Sequence, residues 1–256
     1  HLFSLHPVPK EKFIDQNRYH RNIIIPNISE DIENPHITIN RDKYAKRQLV
    51  VTISAPDQQS LISLIHQNKE KLIKLFLEED RDRYLFYVNK HVNKTIAEML
   101  RKKHGVIINI PRNYVVDVNN DNFVWIAHET VHASIGIFIY HYPLTEESEL
   151  EADYLIKMRN EILKENVPGE LPGSYMTTEQ KYYYPHVNII QHNNTETAHI
   201  RGLWKVHGDF MGGPFVSYIK MDKSRNRMVS VEGFIYHPHN ELRDDIRRLD
   251  AVLYTF

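Results

Sequence analysis

The chain of 256 residues is long enough for one large domain or two small ones, and 41% apolar with 25% charged residues is typical of a globular protein. The 32 lysines and arginines against 33 aspartates and glutamates leave a formal charge of −1, so no global basic field attracts nucleic acid. The absence of cysteine excludes disulfides, thiolate zinc sites and a cysteine nucleophile, and it leaves the redox compartment open.

The start of the chain bears on its location. It begins at His1 rather than at a methionine. No segment approaches the roughly 18 to 20 apolar residues that span a bilayer. We therefore expect that a leader has been removed or that the sequence is an excised fragment.

The first predicted elements are a strand and a helix. The run RQLVVTISAP at 47–56 is rich in β-branched residues and closes with a proline. Asp57 is placed to cap the helix that follows. Apolar residues then recur at helical spacing over 61–76, so this face of the helix should be buried.

A second helix and two short strands are predicted next. The charged stretch EEDRDR at 78–83 predicts a bend or a solvated turn, and a second apolar stripe covers 84–100. His104-Gly105 predicts the stop of this helix. The runs VIINI at 106–110 and NYVVDV at 113–118 predict strands.

The middle of the chain predicts a strand, a helix and a loop. SIGIFIYHYP at 134–143 is rich in β-forming residues and ends at a proline. Acidic residues crowd the first turns of the helix predicted at 146–165, where the helix dipole favours them. The prolines, glycines and serine of 168–180 predict a loop.

The last third is rich in strands. DKSRN at 222–226 predicts a hairpin turn, and Asn240 is placed to cap a final helix. The predicted strands are HVNIIQH, AHIRGLWKVHGDF, PFVSYIKM and MVSVEGFIYHP.

Three times a β-rich run ends in a proline and an amphipathic helix begins, at Pro56, Pro143 and Pro238. This order predicts an α+β fold in which a largely antiparallel sheet packs against amphipathic helices in two layers. We predict a single α+β domain over 1–256, with any subdivision near 168–180.

The pentapeptide His128-Glu129-Thr130-Val131-His132 has the H-E-x-x-H pattern of zinc hydrolases. On a helix, His128 and His132 would bind the metal and Glu129 would act as general base. Glu149, within ELEAD at 149–153, resembles the third ligand of some metallopeptidases. A zinc-dependent metallopeptidase is therefore the alternative function.

The flanks of the pentapeptide oppose this interpretation. They are β-branched and aromatic, and Gly136 follows His132 closely, so we expect the segment to be extended. In a strand, His128 and His132 would lie about 13 Å apart, too far for one zinc. Glu149 is also one of several acids that suit a helix N-terminus. We expect no cofactor.

RGLWKVHGDFMGGPFVSY at 201–218 holds four of the nine glycines. The pattern indicates a ligand loop flanked by aromatic residues, with an exposed concave apolar patch around Trp204, Met211 and Phe215 and with Asp209 as a polar anchor. The alternative is a turn or β-bulge whose aromatic rings fill the core. The predicted ligand-binding residues are Trp204, Asp209, Met211, Gly212, Gly213 and Phe215.

KYYYPHV at 181–187 is a run of tyrosines, which offer flat apolar area with a polar tip. It indicates either an aromatic contact surface for a glycan or peptide, or an irregular entry into a strand with rings alternating between core and solvent.

Five stretches resemble the signature sequences of an uncharacterised domain-of-unknown-function family of predicted lipoproteins of Bacteroidota such as Bacteroides. They are RNIII (21–25), RDKYAKRQLVVTISAP (41–56), SYMTTEQ (174–180), RGLWKVHGDFMGGPFVSY (201–218) and VEGFIYHP (231–238).

This resemblance implies the cell envelope, periplasmic or anchored to the outer membrane, with a lipid anchor and a short β-rich segment upstream of His1. It assigns no activity. Where this chain has AHETVHAS, the family that it resembles has an Asn-rich sequence without metal ligands, ahead of the same strand end at Tyr140–Pro143. This difference disfavours a zinc site.

These observations favour an envelope domain that binds a small ligand or an envelope protein, rather than an enzyme. A third hypothesis is a structural envelope subunit whose apolar face is buried only in an oligomer. Nucleic acid is not an expected partner, and the membrane is expected as a partner only through a lipid anchor outside this sequence.

Overall fold

The computed structural model describes residues 2–131, 133–145, 150–238 and 240–256. The chain divides into two compact units, His1–Tyr84 and Leu85–Phe256. The segment 168–180, where the sequence places any subdivision, lies inside the second unit, and Pro168 there forms a β-bridge with Tyr175. The single domain over 1–256 stays a prediction.

The first unit is a three-stranded sheet covered by a helix. Its strands are β1 Asn22–Ile28, β2 His36–Arg41 and β3 Leu49–Ala55, and its helix α1 spans Gln58–Lys90. β3 lies in the middle, with β1 parallel and β2 antiparallel to it. β3 is buried along most of its length, and Leu61 and Phe76 of α1 pack against the apolar residues of one of its faces.

The helix α1 begins where the sequence predicts it and continues further. Asp57 accepts a hydrogen bond from Ser60 N at 2.8 Å, which confirms the predicted cap. The predicted turn at 78–83 is wrong, because α1 runs through it. The charges of this stretch are paired rather than repelling, and the buried Arg83 donates to Asp80 one turn earlier.

The second unit holds the remaining helices and strands of the described residues. Its helices are α2 Lys94–Met99, α3 Ala152–Asn166 and α4 Arg243–Leu253, and a π-helical turn Leu100–His104 continues α2. Its strands are β4 Val115–Asn119, β5 Phe123–Glu129, β6 Ser134–Pro143, β7 Tyr175–Thr178, β8 His186–His192, β9 Thr195–His207, β10 Gly212–Asp222 and β11 Arg227–Tyr236.

These eight strands form one sheet in the order β4-β5-β6-β11-β10-β9-β7, and β8 also pairs with β9. Every pairing within it is antiparallel. The predicted α+β class, with a largely antiparallel sheet packed against helices, is confirmed.

Helices cover both faces of the large sheet. Successive residues of a strand point to opposite sides, so each face carries its own set of side chains. α3 packs on the face that carries Phe138, Phe215 and Phe234. α4 packs on the other face, where a Cβ at Gly233 would lie 2.5 Å from Leu249. The first unit has the predicted two layers, whereas the second has a helix on each side of its sheet.

Both tryptophans flank one phenylalanine in the core under α3. Trp204 and Trp125 meet the ring of Phe234 edge-on, with centroids 5.6 and 6.1 Å away. Phe234 also stacks on Phe138 at 4.8 Å. Gly136 makes room for this stack, since a Cβ there would lie 2.1 Å from a ring carbon of Phe234.

Several predicted elements of the second unit are confirmed. β6 and β8 coincide with the predicted runs at 134–143 and 186–192. The turn at 222–226 joins β10 to β11. The helical stop at His104-Gly105 is formed by Gly105, whose φ of 64° is left-handed.

Three other predictions are wrong. Residues 106–110 bury alternate apolar side chains but form no strand, and Asn109 N donates instead to Thr255 Oγ1 at 2.8 Å. The strand β7 lies inside the predicted loop 168–180. The N-cap of α4 is Leu242 rather than Asn240. Within the described ranges, no helix combines the length and apolar content that crossing a bilayer requires.

Candidate binding site

The H-E-x-x-H segment belongs to a β-hairpin. His128 and Glu129 end β5, and β6 begins at Ser134. Across the turn, Thr130 N donates to Ala133 O at 2.9 Å. The predicted extended conformation is confirmed for His128 and Glu129, whereas Thr130 and Val131 lie in the turn. Because the pattern needs a helix to bring its imidazoles together, the position of His128 and Glu129 in a strand opposes the zinc interpretation.

The side chains of this motif make other contacts. His128 Nδ1 donates to the carbonyl of Asn113 at 3.0 Å, and Ser134 Oγ donates to Glu129 at 2.9 Å. His132 and Glu149, the other two positions of the zinc alternative, lie outside the described residues. Among the residues that are described, no three His, Asp or Glu side chains are grouped to hold a metal ion.

The predicted glycine loop, 201–218, covers the end of β9, the connection 208–211 and the start of β10. Trp204 and Phe215 are only 2% and 1% exposed, because they point to the face of the sheet that α3 covers. Met211 is half-buried against the same core. The exposed apolar patch predicted around these three residues is therefore not formed, and two of the three anchor the hairpin.

The other residues of the glycine loop have local structural roles. A Cβ at Gly213 would lie 2.1 Å from the carbonyl oxygen of Ile235, which accepts a hydrogen bond from Trp204 Nε1 at 3.1 Å. A Cβ at Gly212 would lie 2.9 Å from the Trp204 carbonyl oxygen. Asp209 accepts from the next backbone N–H at 2.6 Å. Ligand binding by this loop stays a prediction.

A buried ion pair lies under α3, and the sequence analysis missed it. Arg159 and Glu232 are 1% and 0% exposed, and they form two hydrogen bonds of 2.8 and 2.6 Å. The guanidinium also lies 3.9 Å from the ring centroid of Phe215. Burial raises the pKa of Glu232, and the charge of Arg159 opposes that rise.

A chain of hydrogen bonds leads from this pair to the surface. Arg159 Nη1 donates to Thr178 Oγ1 at 2.7 Å. Thr178 in turn donates to Asn160 Oδ1 through its backbone N at 2.9 Å and its Oγ1 at 2.6 Å. Asn160 Nδ2 reaches Gln180 at 3.5 Å. The chain fixes the end of β7 against α3.

The segment 179–185 that follows β7, here called the tyrosine loop, is fixed at its start. Glu179 N donates to the carbonyl of Leu203 at 2.8 Å. The Glu179 carboxylate accepts from Lys181 N and Tyr182 N at 2.6 and 3.0 Å, and from Lys205 Nζ at 2.9 Å. The Lys205 bond and these backbone bonds lower the pKa of Glu179 to about 2. This carboxylate therefore remains charged and holds the loop.

The tyrosine loop is also fixed at its end. Tyr184 OH donates to Asp153 of α3, and this bond raises the pKa of Tyr184. Pro185 is buried and lies against β9. Between the two attachments, Tyr182 and Tyr183 are 81% and 48% exposed. The loop thus presents aromatic side chains to solvent on a fixed backbone.

A second polar cluster lies on the opposite face of the sheet, under α4. Asp250 accepts from Tyr218 OH at 2.8 Å and from Arg201 at 2.7 Å, and His199 Nε2 lies 3.3 Å from it. Burial raises the pKa of Asp250, but the His199 hydrogen bond and the charges of His199 and Arg201 outweigh that effect and lower it. These contacts fasten α4 to β9 and β10.

Comparison with known families divides the chain between residues 89 and 93, a few residues after the division between its compact units. Residues 93–255 match the family model of a domain of unknown function (DUF4837), and residues 1–89 match that of another domain of unknown function (DUF8532). No curated protein matches the sequence. The first match covers more than half of the chain and includes α3 and the tyrosine loop.

Proposed function

The chain belongs to the DUF4837 family, whose function is unknown, and from that premise we propose that it is a binding module that recognises its ligand through the tyrosine loop. The partner is a small ligand or an envelope protein. Its place of action is the bacterial cell envelope, periplasmic or anchored to the outer membrane, as the resemblance to predicted lipoproteins of Bacteroidota implies.

One observation carries this proposal: Tyr182 and Tyr183 are exposed on a loop that is bonded at both ends. Tyrosine supplies a large flat apolar surface with only two rotatable side-chain bonds, so little entropy is lost when it contacts a ligand. A backbone that is already ordered reduces the cost of binding further. In the stretch 201–218 the rings of Trp204 and Phe215 are buried and that of Phe210 is exposed, so this stretch offers a single ring rather than neighbouring ones.

The position of the H-E-x-x-H motif, which suggested an enzyme, favours binding over catalysis. His128 and Glu129 lie in a strand and bond to neighbouring residues. The tyrosine loop has aromatic and amide groups, which are typical of recognition.

The test is a saturation-transfer NMR screen of the whole chain against short neutral oligosaccharides and against unstructured peptides. Replacing both Tyr182→Ala and Tyr183→Ala should weaken the binding of the best probe by at least about tenfold, because two aromatic contacts are lost. Tyr19→Ala removes another exposed tyrosine, in the first unit, and is the matched control that should keep full affinity.

Equal binding by the double variant and the wild type would contradict the proposal, as would failure of the wild type to bind either class of probe. Neither tyrosine is part of a strand or helix, so each variant should keep the wild-type far-UV circular dichroism spectrum. A changed spectrum would indicate lost folding rather than lost binding.

A further inference from the structure

The tyrosine loop borders a hollow in the surface, and the following argument rests on the binding function proposed above. The hollow has a volume of about 390 Å³ and is open to solvent. That volume lies within the roughly 300–1,000 Å³ of small-molecule sites. Its walls come from α3 and from the start of the tyrosine loop: Asp153, Lys157, Asn160, Glu161 and Gln180.

The spacing of the helix explains why these side chains meet. Asp153, Lys157 and Glu161 are four residues apart and so lie on one face of α3. Asn160 and Gln180 are brought together by the 3.5 Å contact between their amides. The buried ion pair and Thr178 hold that junction from below.

The walls offer many hydrogen-bonding groups and little net charge. Two carboxylates accept hydrogen bonds, the Lys157 ammonium donates, and the amides of Asn160 and Gln180 do both. Because two acids stand against one lysine, the net charge of the walls is −1 and does not select a phosphate or another polyanion. A ligand with several neutral hydroxyl or amide groups satisfies this set best.

The aromatic side chains supply the complementary apolar contact. Tyr184 is bonded to Asp153 in the wall of the hollow, and Tyr182 follows the wall residue Gln180 by two positions, within about 7 Å along the chain. The C–H bonds on one face of a pyranose ring pack favourably on an aromatic face, which carries partial negative charge. Exposed tyrosines beside amides and carboxylates are therefore suited to a sugar.

A peptide fits the same surroundings less well. Peptides commonly add a strand to an open sheet edge or insert apolar side chains into pockets. The edge of β9 next to the tyrosine loop is occupied by β7, β8 and the bond from Glu179 N to Leu203 O, so a peptide could add a strand only to the outer edge of β7 or β8. The hollow is lined by polar and charged residues and is open to solvent, so it does not enclose an aliphatic side chain.

We infer that the hollow and the exposed tyrosines beside it form a binding site for a neutral oligosaccharide. The hydroxyl groups of one sugar unit bond to α3 and Gln180, and the face of an adjoining unit packs on Tyr182.

The experiment is isothermal titration of the whole chain with short oligosaccharides of glucose, of mannose and of N-acetylglucosamine, and with unstructured peptides. At least one oligosaccharide should bind. Tyr182→Ala should weaken it by at least about tenfold, and Glu161→Ala by about three- to tenfold, the effect of one lost hydrogen bond. Glu165→Ala, one turn further along α3 and outside the hollow, should change the affinity by less than about twofold.

The outcomes distinguish failure of the sugar inference from failure of the proposed binding function. Binding of a peptide but of no oligosaccharide, lost in Tyr182→Ala, would overturn the sugar inference and leave the binding function standing. Oligosaccharide binding that neither Tyr182→Ala nor Glu161→Ala weakens would place the site elsewhere and overturn both. Failure of every probe to bind would also overturn both.

Discussion

Burying the Arg159–Glu232 pair removes two charges from water, and their attraction offsets that penalty only while both side chains are present. The two hydrogen bonds between them and the bond to Thr178 satisfy much of the guanidinium. Removing one partner leaves the other charged in an apolar environment, which is the more costly situation.

Replacing the arginine alone, as Arg159→Met, should lower the free energy of unfolding by about 3–5 kcal/mol, measured by urea denaturation at pH 7. The double variant Arg159→Met with Glu232→Leu should lose much less, because no unpaired charge remains. Equal losses in the single and double variants would contradict this account of the pair.

Asp222 ends β10 and has a strongly lowered pKa. Burial raises that pKa, but hydrogen bonds from Ser224, Arg227 and Arg225 outweigh the effect and bring it from the ordinary 3.8 to about 2. A carboxyl group whose folded pKa is depressed stabilises the fold above its unfolded pKa and loses that contribution as pH falls through the folded value.

Asp222→Asn should therefore lower the free energy of unfolding by about 2 kcal/mol at pH 7, from roughly 1.4 kcal/mol for each unit of pKa difference. The gap between variant and wild type should narrow as the pH is lowered from 4 to 2. Denaturation curves at several pH values measure it, and a gap independent of pH in this range would show that the carboxylate charge is not responsible.

Strands with strong local patterns could be predicted from the sequence, whereas elements that depend on partners could not. β6 and β8 have alternating or continuous β-forming residues between clear stops. Residues 78–83 have good helix formers, and their predicted turn failed because the charges find partners one turn away. β7 has four residues beside a loop rich in proline and glycine, so only its pairing with β9 identifies it.

Part of the candidate site could likewise be predicted from the sequence, and part could not. The tyrosine run at 181–187 is visible in the sequence, and both a contact surface and a strand entry were considered for it. Arg159 and Glu232 are 73 positions apart, and an arginine within an amphipathic helix gives no local sign of burial. The glycine pattern of 201–218 is the same in a ligand loop and in a close-packed hairpin. The folded structure distinguishes the two, because it places Ile235 O where a Cβ at Gly213 would lie.

The order of the tyrosine loop depends on one carboxylate. Glu179→Ala removes the acceptor of two backbone N–H groups and of Lys205, so the amides of 180–184 should exchange with deuterium faster than in the wild type. Glu170→Ala, an exposed glutamate before β7, is the control. Unchanged exchange over 180–184 in Glu179→Ala would mean that other contacts hold the loop.

Across the whole molecule, the two compact units share a helix. The division between Tyr84 and Leu85 falls inside α1, and the two family matches also meet near the end of this helix. A helix interrupted at one point loses backbone hydrogen bonds on both sides of it. Unfolding of the first unit should therefore be coupled to the second through the continuity of α1.

Asp82→Pro, at an exposed position just before this division, tests the coupling. Proline removes a helical N–H and clashes with the carbonyl four residues earlier, which costs about 3 kcal/mol or more. Differential scanning calorimetry should show the first unit melting separately and at lower temperature, whereas Asp82→Ala should keep the wild-type profile. A single unchanged transition in the proline variant would show that α1 does not couple the units.

The placement of Trp125 and Trp204 on either side of Phe234 has a practical consequence for spectroscopy. As the two tryptophans of the chain, both in the second unit, they make selectively excited tryptophan fluorescence a reporter of that unit alone. Emission should stay blue-shifted while the first unit unfolds and shift to the red only when the packing around Phe234 is lost. Circular dichroism records the helix and strands of both, so a lag between the two signals measures how independently the units melt.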